Sequence, residues 1–236
     1  MSSVSAVATV AATNFNNRIF SVLERVNYRR IDTVEGRDSI YRLRYDAYLR
    51  EGSIQPNDTR RFSDPDDEAE NVWIFGIFLQ DKLISSLRMH VSTPRHPEIP
   101  AAHVFGEFLG PVIEAGKIIV DPTRFVADHY YAKRFQELPY ITTRLVIMAG
   151  EFFNADYLLA TVRAEHQAFY QRVFGGNVVC PPREYPGLAK PISMMMSPRE
   201  SVMAHIGRLY PFFASTPFER SELFVGARAG SARSAA

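Results

Sequence analysis

The chain has 236 residues, 46% hydrophobic and 22% charged, the balance of a globular protein rather than a disordered or fibrous one. With 27 basic against 26 acidic side chains, no global field recruits nucleic acid or anionic lipid, and a single cysteine, Cys180, excludes an internal disulfide. No uncharged apolar run approaches the roughly 20 residues that span a bilayer. The start of the chain lacks the basic and long apolar blocks of a signal peptide. The expectation is a cytoplasmic protein with one core over residues 14–225, between flexible Ser/Ala/Gly-rich tails at 1–13 and 226–236.

Residues 26–31 predict a first strand, with Val26 and Tyr28 alternating against polar neighbours. Asp32 or Thr33 offers a helix cap; Tyr41, Arg44, Tyr45 and Tyr48 then repeat at helical spacing, and Gly52 stops the helix. Residues 53–69 form an acidic loop containing Asp58, Asp64, Asp66 and Asp67. Residues 71–79 and 83–91 make a hairpin about Gln80-Asp81-Lys82, and Pro94, Pro97 and Pro100 forbid its continuation. A short helix over 101–109 carries Val104, Phe105 and Phe108 on one side.

Residues 117–120 read as a short buried strand that gives way to a glycine-poor loop at Asp121-Pro122. Ile141, Leu145, Met148, Ala149 and Phe152 recur at helical spacing and predict a helix over 139–154. A strand over 157–162 and a helix over 165–174, stopped by Gly175-Gly176, come next. Strands at 177–180 and 192–196, separated by PPREYPGLAKP, precede a last helix over 199–210. This order gives an α/β layer architecture with a mixed sheet. His90, His96, His103 and His129 show no metal-ligand spacing, so no metal site is expected.

Two segments carry the chemistry: AEHQAFYQRVFGG at 164–176 and GKIIVDPTRFVAD at 116–128. Together they resemble the second half of the GCN5-related N-acyltransferase (GNAT) fold, a mixed twisted sheet flanked by helices. A narrower resemblance is to the autoinducer (acyl-homoserine lactone) synthases and the long-chain N-acyl amino acid synthases. It rests on four blocks in order: RLRYDAYLREG with Arg44 and Tyr48, FSDPDDEAE with Asp64 and Asp67, SSLRMHVSTPR with Arg88, and Asp121 to Phe125. Asp121 stands where those families carry glutamate, and RFVADHYYAKRF resembles the amino acid branch more closely.

The resemblance implies transfer of a fatty acyl group from a thioester to the amine of an amino acid or related acceptor, with no tightly bound cofactor. Tyr170 is implied as general acid for the leaving thiolate, and Asp121 as the base or its holder. Arg44, Tyr48, Asp64, Asp67, Arg88, Thr123, Arg124 and Phe125 are implied in substrate binding; Phe75, Phe105, Phe108 and Phe152 are candidate walls of an acyl tunnel. Acyl carrier protein is the expected donor and partner, because the loop after Val120 lacks the glycines that bring amides to a diphosphate. Acyl-coenzyme A remains possible.

Blander readings stand beside these. Arg88 and Arg124 also suit plain ion pairs with Asp121 or the acidic loop, a lone Asp before proline is more often a turn former, and a single phenylalanine is more often plain core. Rival functions are an S-adenosylmethionine-dependent lactone synthase, a noncatalytic acyl- or partner-binding module, and coenzyme A-dependent acetyl transfer.

Overall fold

The first strand, β1 (Val26–Arg30), pairs antiparallel with β2 (Val72–Leu79), which turns tightly into antiparallel β3 (Lys82–Ser92). These are stretches of alternating or continuous β-branched and aromatic residues, the pattern that packs on a pleated surface. β3 pairs antiparallel with β4 (Ile119–Ala127), and β4 lies parallel to β5 (Tyr157–Val162). β7 (Leu188–Pro198) runs antiparallel to β5 and carries β6 (Asn177–Tyr185) on the outer edge. The sheet order is β1-β2-β3-β4-β5-β7-β6. This computed structural model describes residues 2–225, with side chains from Thr13 onward; the expected tail at 226–236 lies outside the described residues.

Helices cover both faces. On one lie α2 (Val34–Arg50) and α3 (Pro100–Glu114), the latter over a core of Phe105, Leu109, Ile119, Leu159, Ile192 and Met194. On the other, α5 (Leu138–Phe152) packs Ile141, Leu145 and Met148 into the larger core with α1 (Ser2–Leu23), α7 (Arg199–Leu209) and α8 (Pro217–Phe224). Two short helices, α4 (His129–Arg134) and α6 (Gln167–Phe174), flank the ends of β4 and β5. Thr33 caps α2 by accepting from the Gly36 amide at 3.1 Å.

The structure departs from the sequence reading at four places. Residues 2–13 of the stretch expected as a tail lie within α1, whose backbone is helical from Ser2. β4 continues through Asp121 and Pro122 to Ala127, where a loop was expected. β6 and β7 extend through most of the proline-rich stretch to a tight hairpin, Tyr185 pairing with Leu188. α8 closes the described chain: buried Arg144 of α5 donates to the Phe212 and Ala214 carbonyls and to Glu219, tying that segment down. Among the described residues no helix is long and apolar enough to cross a membrane.

Candidate active site

β4 and β5 pair over two residues only, Ile119 with Tyr157 and Val120 with Leu158, and then part. Pro122 follows immediately. It has no amide hydrogen to give, and a proline in a strand is tolerated where one side lacks a partner. A bulge in the β3–β4 ladder sets Arg124 and Phe125 against the single residue Leu87, and Arg124 takes a left-handed φ of 53°. That conformation is costly for an L-residue and concentrates at sites that need an unusual direction of chain.

The parted strands open a cleft of about 440 Å³, within the range of small-molecule sites. Its lining comes from both faces of the sheet. Val146, Ile147 and Val202 line it from the α5 and α7 side, and Tyr48, Ser53 and Tyr185 from the α2 side. Phe125, Leu158, Leu159, Ile192 and Met195 supply an apolar middle.

Tyr170 faces this cleft from α6, its ring packed edge-on to Phe169 at 5.1 Å. Burial pushes its phenol upward, so the hydroxyl stays protonated and is a proton donor at neutral pH. Gly176, just past α6, fits because a Cβ there would lie 2.7 Å from the Ser197 hydroxyl. This close approach holds the helix end against β7.

A buried ionic layer lies beside the cleft on the α2 face. Asp67 takes Arg44 Nη1 on both oxygens, at 2.8 and 2.9 Å, and accepts from the Asp64 amide at 3.0 Å. Asp64 binds Arg88 through one oxygen and Arg124 through the other, the latter with Nε at 3.0 Å. Burial alone raises the Asp64 carboxyl, but Arg88 and Arg124 outweigh it and hold it at about 2. Arg88 Nε also donates to Thr123 Oγ1 at 2.9 Å, and the Arg124 guanidinium lies over the Phe62 ring at 4.8 Å.

Asp121 lies in this layer, wholly buried and not on the cleft wall. Its Oδ2 accepts from the Ala101 amide in the first turn of α3 at 3.0 Å. Burial raises its carboxyl to about 6, against the lowering by that amide and by Arg88. Its Oδ1 has no hydrogen-bond partner among the described residues. The same holds for the Tyr185 hydroxyl, which belongs to a cleft-lining residue among Asp121, Arg124 and Arg88.

The sequence profile of the N-acyl amino acid synthase FeeM family matches residues 39–198, more than half of the chain and every strand but the first. The chain belongs to this family. It is an N-acyltransferase of GNAT fold. The solved structure of FeeM, an N-acyl amino acid synthase from uncultured soil microbes, is similar with a TM-score of 0.63 at 16% identity, covering 77% of this chain and 94% of that one. The lactone synthase LasI gives 0.55 at 13% identity, covering 77% and 94%. TofI, in a ternary complex with an inhibitor and MTA, gives 0.57 at 11% identity, covering 80% and 100%. No curated protein sequence matches significantly.

Within this FeeM-family chain, Tyr48, Thr123, Arg124, Phe125 and Tyr170, named from the sequence, line the cleft. Arg44, Asp64, Asp67, Arg88 and Asp121 form the buried layer behind it, the arginines pairing with the acidic loop. The four tunnel phenylalanines do not line the cleft. Phe75 and Phe152 pack against Phe224 in the larger core, while Phe105 and Phe108 belong to the core under α3. The apolar wall instead comes from aliphatics of α5, α7, β5 and β7, such as Val146, Val202, Leu158 and Ile192, together with Phe125 of β4 and the aromatics of α6, Phe169 and Phe174.

The mouth adds Arg50, Arg163, His166 and Lys190. Arg163 pairs with Glu51 at 2.9 Å and donates to His166 Nε2, also at 2.9 Å; arginine cannot accept, so that nitrogen carries no proton.

Proposed function

We propose that this enzyme moves a fatty acyl group from an acyl carrier protein thioester to the α-amine of an amino acid or a related amine. The gap between β4 and β5 carries this reading. It is apolar in the middle, lined by Tyr170, and walled by residues from both faces of the sheet. A pantetheine arm fits along the parted edges, where unpaired strand amides can polarise the thioester carbonyl. The acceptor ammonium loses a proton to Asp121, and its lone pair forms the bond to the thioester carbon. The C–S bond then breaks, Tyr170 protonates the sulfur, and the proton released from the new amide nitrogen restores the phenol. The balance is one amide, one thiol and one proton.

Two features support a carrier-protein donor over coenzyme A. The acidic Glu137 precedes α5 and pairs with Arg18 at 3.2 Å, and the stretch between β4 and α5 holds α4 and no glycine. A carboxylate at a helix start disfavours a second anion there. Arg50, Arg163 and Lys190 around the mouth suit an acidic partner.

The test is to incubate the protein with acylated carrier protein or acyl-coenzyme A and with pooled amino acids or S-adenosylmethionine, then identify products by mass spectrometry. N-acyl amino acids from the carrier-protein donor are expected. Free fatty acid as sole product refutes the proposal, and lactone from S-adenosylmethionine reassigns the acceptor.

A further inference from the structure

The base and the cleft are not in contact. Asp121 is enclosed, whereas the amine must reach the thioester carbon in the gap between β4 and β5. Tyr185 belongs both to the cleft wall and to the core that borders Asp121. Its ring packs with Ile119 and Ile192 beneath α3, it lines the cleft, and it is nine-tenths buried. Its hydroxyl and Asp121 Oδ1 are both shielded from solvent and both without a hydrogen-bond partner among the described residues. Two such atoms, on residues that meet at the core under α3 where the Ala101 amide holds the other Asp121 oxygen, mark a place built to take a polar hydrogen-bearing group.

We infer that Tyr185 is a catalytic residue that passes the acceptor's first proton from the cleft to Asp121. Resting on the acyl-transfer reading above, the step balances within three groups. The ammonium N–H bond breaks and its proton goes to the Tyr185 oxygen, while the Tyr185 O–H bond breaks and its proton goes to Asp121 Oδ1. The phenol is regenerated, the carboxylate becomes a carboxylic acid, and the amine keeps the lone pair that attacks the thioester. Burial keeps Tyr185 neutral, so it exchanges a proton without accumulating as phenolate. Asp121 is faced by Arg88 and His90 from β3, Asp66 from the short 3-10 turn Pro65–Glu68, His103 from α3 and the Ala101 amide. Burial outweighs the lowering by that amide, Arg88 and His103, leaving a carboxylate that accepts a proton at neutral pH and returns it to water readily.

The experiment compares wild type, Tyr185→Phe, Asp121→Asn and the double variant, each checked for folding by thermal melt. Two nucleophiles are used: an α-amino acid, and hydroxylamine, which is already neutral at the assay pH. With the amino acid, Tyr185→Phe should lower kcat by about 100-fold with donor KM unchanged. Wild type should show an acidic limb near pH 6 that is lost from both single variants. The double variant should be no slower than either single one, and with hydroxylamine Tyr185→Phe should match wild type within a few fold. An equal loss with both nucleophiles, or an unchanged rate with the amino acid, overturns the relay alone. Failure of wild type to form amide from any amine removes the acyl-transfer reading and the relay together.

Discussion

Arg44 lays one guanidinium nitrogen across both oxygens of Asp67, at 2.8 and 2.9 Å, and neither side chain reaches solvent. The pair fastens α2 to the acidic loop and so fixes Asp64, whose amide Asp67 also holds. Removing one partner strands the other charge. Asp67→Ala should therefore cost about 3–5 kcal/mol in urea denaturation. Asp38→Ala, which breaks the exposed pairs with Arg42 and Arg61, should leave the midpoint nearly unchanged.

Tyr170 has one proposed task, and its phenyl ring can be kept while the hydroxyl is removed. Tyr170→Phe should slow amide formation by about 100-fold with little change in donor affinity. A donor with a thiol of lower pKa should recover part of the loss, since its thiolate leaves without a proton. Single-turnover assays with two thioesters read both effects.

His90 is buried opposite Asp121 in the β3–β4 ladder, its Nε2 bonded to the Asp66 carbonyl at 2.9 Å. Burial first, then Arg88, lowers its pKa from 6.5 to about 3. Between those values the unfolded chain binds a proton that the fold refuses, so this group makes stability fall as pH drops from 6.5 toward about 3. Asp121 acts in the opposite sense: its raised carboxyl gains stability as pH falls through about 6 toward 3.8. His90→Gln should remove the first effect and leave the second. The difference in urea midpoint between wild type and variant, measured from pH 7 to pH 4, should shift steadily in favour of the variant.

Acyl length is set by the apolar walls if the chain lies in the cleft. Val146→Phe adds volume on the α5 side and should shift products toward shorter acyl groups while preserving turnover of the shortest donors. Product profiling across a series of donors checks this; an unchanged profile places the acyl chain elsewhere.

Most of the sheet was legible because its strands are β-branched, aromatic and bounded by turn residues, as in Val72–Leu79. The failures have local causes. Asp121-Pro122 reads as a turn because proline breaks a paired strand, yet here its far side faces a gap. Pro181 and Pro182 read as a separator, but β6 is the sheet's edge, where a missing amide costs little. The Ala-rich start lacks large side chains to argue burial, although alanine is the best helix former.

Site residues divide in the same way. Tyr170, Arg124 and the acidic loop follow family blocks in the sequence and converge in space. Tyr185 belongs to none of those blocks, and its neighbours Asp121 and Arg88 meet it only through the β6–β7 hairpin folding under α3. The tunnel phenylalanines show the opposite error. Large aromatics suggest a wall, but the lining depends on which faces the strand gap exposes, and the gap exposes aliphatics and a different set of aromatics, Phe125, Phe169 and Phe174.

A cleft lined from both faces of the sheet offers an approach from either side. If the thioester and the amine approach from opposite sides, neither blocks the other, and both occupy the protein together before either reacts. Initial-rate lines for the two substrates should then intersect instead of running parallel, and a saturating excess of either should not lock the other out.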